Sequence, residues 1–398
     1  MRVLMMAWEY PPHIVGGMGK HVADIVPALD AAGIEVHVVT PLLSGGDEHS
    51  TLGNHSHIYR VATPSMPDYG FITFNQETNR HLEGFARELA EQVGGFDLIH
   101  CHDWLTAYSS VALKYHLHVP LVSTIHATER GRGRGILFSE QSQKINSIEW
   151  WLIYESWRVI VCSEFMRDQL VSSFSTPYDK MDVVPNGVHI VEHTWTDEER
   201  SEFRRKYAAD DEKIVFSVAR IVHEKGMHVL VEAIPRVLAQ RGDVKFVIAG
   251  LGPMQESLKQ RTSSMGLDQR VFWTGFISDQ ERDRLYSVAD VAVFPSLYEP
   301  FGIVALEAMA AKCPVVVSET GGLREVVQLH ETGLTVHPDN PDSLAWGILH
   351  TLAEPEWSQK RVANAFRCVQ DVYNWEHIAQ ETIETYQKVY DDFKSGTW

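Results

Sequence analysis

Short apolar runs alternate with helix-length segments along this chain, and the alternation happens twice. In the first half the runs fall at 3–7, 36–40, 98–100, 121–125, 159–162 and 181–184; in the second they fall at 214–219, 245–249, 271–273, 291–294, 314–318 and 333–336. Runs this short and this apolar suit strands buried on both faces of a parallel sheet, with helices covering each side. Gly33 stops the helix pattern at 19–32, and Gly94-Gly95 stops the one at 79–93. The second half carries further helix patterns at 228–240 and 280–289. The expected class is α/β, with two doubly wound Rossmann-like domains facing across a deep cleft.

The expected divisions are 1–188, 189–374 and a C-terminal helix within 375–398. Pro185-Asn-Gly-Val188 and the charged stretch 194–202 mark the join. Trp375, Ile378, Ile383, Tyr386, Tyr390 and Phe393 recur at helical spacing, so the last helix needs an apolar surface to cover that stripe. Open parallel sheets bind ligands beyond the carboxyl ends of their strands. A motif is therefore most informative when it falls just after a strand.

Composition removes several function classes. Of 398 residues, positions 1–190 carry 13 Lys/Arg against 21 Asp/Glu, which leaves 22 against 32 for the rest and a net charge of −18. Neither half offers the basic field that nucleic acid requires. Cys101, Cys162, Cys313 and Cys368 are far apart without metal spacing, which suits free thiols in a reducing compartment. The start, Met1-Arg-Val-Leu-Met-Met-Ala7, runs into Trp8-Glu9 and is too short for a secretory signal. No run of 18 apolar residues is present, so no membrane span is expected. The aromatic stretch 148–162 reads as a core helix running into a short strand, with peripheral contact at a membrane surface left open. A cytoplasmic protein is expected, either free or at the inner membrane face.

Ser296-Leu-Tyr-Glu-Pro-Phe-Gly-Ile-Val-Ala-Leu-Glu307 carries the most chemistry. It places Glu299 in a loop after the run 291–294, with Glu307 inside the helix expected at 303–311. The backbone N–H groups of Gly302, Ile303 and Val304 at that helix start offer an anion site. A carboxylate on either side suits a nucleotide sugar, one for a sugar hydroxyl and one for the ribose. The bland alternative is two solvated glutamates. Arg220 and Lys225, in Ala219-Arg-Ile-Val-His-Glu-Lys-Gly226, supply two cations after the first strand of the second half. Such cations can neutralise a leaving diphosphate; alternatively Arg220 pairs with Glu224 and Lys225 is a surface lysine.

In the first half, Tyr10-Pro-Pro-His-Ile-Val-Gly-Gly-Met-Gly-Lys20 is a glycine-rich strand-to-helix turn that includes Gly17. Ile14 and His21 stand where a Walker A loop has Gly and Ser/Thr, which argues against a P-loop ATPase. His100-Cys-His-Asp-Trp104 follows another strand. A metal reading of its H-x-H finds no partnered carboxylate or histidine at a recognisable spacing downstream, so no metal is expected. Asp103 and Trp104 instead offer a hydroxyl acceptor and a stacking face. His126 ends the run 121–125 and is either a site residue or a satisfied core histidine. Arg130-Gly-Arg132-Gly-Arg134 reads equally as a site for an anionic acceptor and as a solvated loop.

Together these motifs resemble the retaining glycosyltransferases of family 4, with the two-domain GT-B fold, and they share features with glycogen and starch synthases. The resemblance runs from about residue 8 to 325, in the right order. It implies an N-terminal acceptor-side domain, a C-terminal nucleotide-sugar domain, and a last helix crossing back to the first. His126, Arg220, Lys225 and Glu299 would serve catalysis. Gly17, Asp103, Gly250, Phe276, Ile277, Pro300, Phe301, Gly302, Ile303, Val304 and Glu307 would hold the donor. Trp104, Arg130, Arg132 and Arg134 would face the acceptor. The Gly-Gly-Met-Gly-Lys order departs from the Lys-first loop of glycogen synthases, which counts against a glycogen primer and ADP-glucose.

The implied reaction moves a hexose, with UDP-glucose expected as donor, to a hydroxyl of a glycan, polysaccharide or lipid-linked acceptor. No cofactor or metal is expected beyond the substrate nucleotide. Retention by a front-face route fits the absence of a carboxylate clearly placed as nucleophile. A sugar-nucleotide 2-epimerase of the same fold needs no acceptor, and turnover without one separates it. A non-catalytic sugar-nucleotide sensor would keep Arg220 and Glu307 but has no need of Glu299 and His126. A pyridoxal-phosphate-dependent phosphorylase would show a bound chromophore.

Overall fold

Valine, isoleucine and leucine dominate the short runs because each strand they form is enclosed on both faces. The computed structural model describes residues 1–65, 70–191 and 195–396. Thr194, expected to open the charged join, and the last two residues of the expected 375–398 segment lie outside these. The chain separates into two units, Met1–Gly187 with the C-terminal helix Trp375–Ser395, and Val188–Asn374.

Among the described residues the first unit holds eight strands: β1 (Arg2–Met6), β2 (Glu35–Leu42), β3 (His49–Leu52), β4 (Ser56–Ala62), β5 (Leu98–His102), β6 (Leu121–Ile125), β7 (Arg158–Val161) and β8 (Met181–Val183). Their order is β3-β4-β2-β1-β5-β6-β7-β8, parallel except for the β3–β4 pair. Six of the eight match expected runs; the β3–β4 hairpin does not. Its outer strand alternates exposed and half-buried positions, as a polar edge strand does. The carboxylate of Asp30 accepts from the N–H groups of Asn54 and His55, both at 2.8 Å, and so fixes the hairpin turn.

The second unit holds β9 (Lys213–Val218), β10 (Val244–Ala249), β11 (Val271–Gly275), β12 (Val291–Phe294), β13 (Val315–Ser318) and β14 (Leu334–Val336). All are parallel, in the order β11-β10-β9-β12-β13-β14. The order reverses between β9 and β12, the kind of switch point at which open sheets bind ligands.

Helix Glu140–Glu155 runs into β7, as the aromatic stretch suggests. Helix Phe71–Val93 begins well before the expected 79. The C-terminal helix buries Trp375, Ile378, Ala379, Thr382, Tyr386 and Val389, together with Thr385. Ile383 and Tyr390 are only half-buried, so the stripe is rotated slightly from the purely apolar one. Tyr386 Oη meets His100 Nδ1 at 2.6 Å, tying this helix to β5. Among the described residues no helix is long and apolar enough to cross a membrane, and all four cysteines are free.

Candidate active site

In the second unit the expected residues gather beyond the carboxyl ends of β9, β10, β11 and β12. The turn His223–Lys225 leads into Gly226, whose φ is 68°. A side chain at Gly226 would place its Cβ 1.8 Å from the carbonyl oxygen of Pro295, so only glycine allows this approach. The N–H groups of Leu297 and Tyr298 then donate to the Glu224 carbonyl at 2.8 and 3.2 Å. The turn and the loop after β12 are stitched together by backbone. Lys225 and Glu299 meet as a consequence, with Nζ 2.7 Å from Oε2. Ser296 Oγ donates to the same oxygen at 3.2 Å.

Glu299 leads into Gly302, with φ 115°, and the helix Ile303–Ala310. The first N–H to bond back into the helix is that of Ala305, to Gly302 O at 2.9 Å. Those of Gly302, Ile303 and Val304 precede it and form the positive end of the helix. Glu307 is buried, with Oε1 3.3 Å from Arg282 Nη1. Arg282 also pairs with Asp279 and Asp283, at 2.6 and 2.8 Å. Sequence reasoning misses Arg282, because Asp279–Val288 reads as a solvated charged helix; its i,i+3 pairing with Asp279 is the only local signal.

Other members of the expected set are placed differently. Arg220 is exposed and lies 3.6 Å from Glu224, the local pairing its spacing allowed. Such a pair is worth little in water and leaves the guanidinium ready to exchange partners. Phe301 is buried and packs on Tyr373 with centroids 6.0 Å apart, so its ring props the loop. Pro300 is half-buried beside it. Gly250 follows β10 directly, Phe276 is 78 % exposed and Ile277 half-buried after β11. These two side chains offer an apolar edge.

In the first unit Gly17 opens the helix Gly17–Ala31 and is exposed. Glu9, which sequence reasoning passes over, shapes this turn: its Oε2 accepts from the N–H groups of Val15 and Gly16 at 2.8 and 3.0 Å. Asp103 follows β5 with φ 56° and is buried. Its Oδ1 accepts from the His126 backbone N–H at 2.8 Å, so the carboxylate shapes the turn after β6. Burial pushes its carboxyl up to about 6, against Arg132 and the N–H groups of His126 and Ala127. Trp104 is 6 % exposed and packs edge-on against Phe71. It therefore has no free face for stacking, contrary to expectation, because Phe71 reaches it from a helix far away in sequence.

His126 is half-buried, with Nε2 3.0 Å from His102 Nδ1. The arginine segment is a short helix, Glu129–Arg132, and not a loop throughout. Thr128 Oγ1 caps it, accepting from Gly131 N at 3.0 Å. Arg130 Nε reaches Asn146 Oδ1 at 3.4 Å, Arg132 lies 3.8 Å from Glu129, and Arg134 is exposed with φ 52°. Nearby, a cavity of about 820 Å³ is lined by Phe71, Gln76, Tyr108, Gln143, Lys144 and Ser147 among others. Amides, hydroxyls and aromatic faces of this kind suit a polyhydroxylated ligand.

Comparison with known proteins gives these two halves a context. The model of glycosyl transferases group 1 matches residues 199–367, and that of Glycosyltransferase Family 4 matches 15–192. An uncharacterised glycosyltransferase of Methanocaldococcus jannaschii is 40 % identical over 97 % of this chain and 98 % of its own. A glycogen synthase of Mycobacterium tuberculosis is 32 % identical over 97 % of this chain and 94 % of its own. Among solved structures, sucrose-phosphate synthase from Thermosynechococcus elongatus superposes with a TM-score of 0.82 at 24 % identity, covering 98 % of this chain and 99 % of that one. The fold is GT-B, and the chain belongs to the family 4 glycosyltransferases, related to the glycogen and starch synthases.

Proposed function

We propose that this protein is a retaining hexosyltransferase that moves glucose from UDP-glucose to a hydroxyl of a glycan, polysaccharide or lipid-linked acceptor. The observation that carries the reading is the Lys225–Glu299 pair, 2.7 Å apart at the start of helix Ile303–Ala310. A cation, a carboxylate and the N–H groups of a helix start stand together, the set that a diphosphate and its sugar need. The name of the 32 % identical relative supports glucose as the transferred sugar. The choice of UDP rests on resemblance.

In this account Arg220 leaves Glu224 to join Lys225 on the diphosphate. The N–H groups of Gly302, Ile303 and Val304 complete that cradle. Glu307, held in place by Arg282, accepts from the ribose hydroxyls, while Glu299 accepts from hydroxyls of the sugar. The exposed Phe276 and Ile277 edge, beside Gly250, lies under the base. Of the first-unit residues, Gly17 and His126 are assigned to the sugar, with Asp103 setting the His126 turn. Arg130, Arg132 and Arg134 and the amide-lined cavity serve the acceptor. Leaving-group oxygen and nucleophile share one face of the sugar. The chemistry needs no metal or cofactor, because the fixed cations and helix end meet the developing charge. The enzyme works in the cytoplasm, free or at the inner membrane face.

The stereochemical part has a direct test. With glycerol or maltose as surrogate acceptor, the anomeric coupling in the proton spectrum of the new glucoside reports its configuration. Retention predicts the α-glucoside from α-linked UDP-glucose; a β-glucoside overturns it. A glycosyl-enzyme intermediate trapped by mass spectrometry would sink the front-face route.

A further inference from the structure

Three imidazoles from three separate elements converge in the first unit. His21 comes from helix Gly17–Ala31, His102 ends β5, and His126 follows β6. Each offers a ring nitrogen, and these nitrogens all lie within 4.8 Å of one another. The ring of His21 is 4.8 Å from that of His126 and 5.5 Å from that of His102, centroid to centroid. H-x-H alone shows no downstream partner, because His21 and His126 reach His102 only through the parallel crossovers of the sheet.

The hydrogen bonds show how each ring is held. Asn186 Oδ1, 2.7 Å away, accepts from His21 Nδ1, so the proton sits on Nδ1 and Nε2 is bare. A metal-binding histidine is usually held by an oxygen partner in this way. His102 and His126 share one hydrogen between Nδ1 and Nε2 at 3.0 Å. His102 Nε2 is buried and has no hydrogen-bond partner among the described residues. It is the outer nitrogen of a ring that meets His126 through Nδ1 and can carry the proton that Nδ1 gives up.

We propose that His21, His102 and His126 form a binding site for a borderline transition-metal cation, Zn²⁺ or its congeners Co²⁺ and Ni²⁺. Metal–nitrogen bonds of about 2.0–2.1 Å set tetrahedral ligands about 3.4 Å apart. The observed separations, 3.0 Å for one pair and at most 4.8 Å for any, bracket that value. Small side-chain rotations therefore close the site. The metal takes the place of the hydrogen shared by His102 and His126. One of those two rings moves its proton to its outer nitrogen, so neutral imidazoles bind with no net proton released. Burial favours the neutral, ligating form of all three histidines, helped by neighbouring imidazoles at His21 and His102 and by the Arg132 guanidinium at His126. His126 is the least buried of the three and marks the side of entry, with the fourth position left for water. The metal is not part of the transfer chemistry. On the functional reading above, which this consequence rests on, it sequesters His126 and inhibits transfer.

The test uses the full chain stripped with EDTA and titrated with Co²⁺, read by visible absorption and by equilibrium dialysis. We expect one Co²⁺ per chain with an intense tetrahedral spectrum that Zn²⁺ displaces. His21→Gln and His102→Gln should each weaken binding at least tenfold. Asn186→Ala, which keeps every ligand, should weaken it by roughly 10–100-fold through loss of the outer partner. His49→Gln, in the separate exposed stack with His57, should bind as the parent does. Circular dichroism identifies any variant that fails to fold, and the remaining ones decide the matter. Absence of a tetrahedral Co²⁺ spectrum, or binding that persists in both His21→Gln and Asn186→Ala, overturns the site. Binding lost in those variants establishes it whatever happens to turnover. Turnover unchanged in the loaded protein then counts against the role of His126 and not against the metal site.

Discussion

Lys225 and Glu299 stand 74 positions apart in sequence, yet their side chains meet at 2.7 Å beyond the carboxyl ends of adjacent strands. Backbone hydrogen bonds from Leu297 and Tyr298 to Glu224 hold the two segments in that register. The pair is therefore built into the loops and does not depend on two long side chains finding each other.

Lys225→Ala should lower the chemical rate at least tenfold, about 1.4 kcal/mol of transition-state stabilisation, while changing UDP affinity less. Single-turnover kinetics beside calorimetry of UDP binding separate the two effects. A rate within a few-fold of the parent would remove Lys225 from the leaving-group site.

Glu307→Gln should mainly weaken nucleotide binding. Arg282→Leu should do the same, because it releases the carboxylate that Arg282 holds at 3.3 Å. The double variant should lose less than the sum of the two, since each breaks one shared pair. Additive losses in calorimetry would mean that Arg282 acts independently of Glu307.

Glu149 gives a pH-dependent stability. It is buried, and burial pushes its carboxyl from 4.5 to about 8, against the Glu129 N–H and Arg132. Between those values the folded chain keeps the proton and the unfolded chain gives it up. Stability therefore falls as pH rises through that window, by up to about 1.4 kcal/mol per unit. Glu149→Gln should match the parent near pH 5 and exceed it by a few kcal/mol near pH 8. Urea midpoints followed by tryptophan fluorescence at both pH values measure this; parallel curves would show that Glu149 titrates normally.

Tyr386→Phe should destabilise the first unit by about 1–3 kcal/mol, because it leaves His100 Nδ1 buried without its 2.6 Å partner. The same denaturation measurement reads the loss. An unchanged midpoint would mean that apolar packing alone secures the C-terminal helix.

The doubly wound class is legible in the sequence because strands buried on both faces must be apolar and short, as residues 36–40 and 291–294 are. The placing of Glu299, Gly302 and Glu307 around a helix start follows from local glycine and strand signals. The β3–β4 hairpin escapes notice because His49–Leu52 lies at a sheet edge with one face in water, and because its turn is set by the distant Asp30. Trp104 reads in sequence as a stacking face, and resemblance implies Phe301 as a donor residue. Only tertiary packing on Phe71 and Tyr373 shows them to be props. The convergence of His21, His102 and His126 depends on crossover connections that no local spacing encodes.

The central claim, metal-independent transfer chemistry on UDP-glucose, is tested most directly by incubating the protein in EDTA with UDP-glucose, UDP-galactose, UDP-GlcNAc, GDP-mannose and ADP-glucose. Mass spectrometry would follow release of nucleoside diphosphate and sugar. We predict slow hydrolysis of UDP-glucose above the others, lost in Glu307→Gln. Preference for another donor, or hydrolysis that Glu307→Gln leaves intact, would contradict the account.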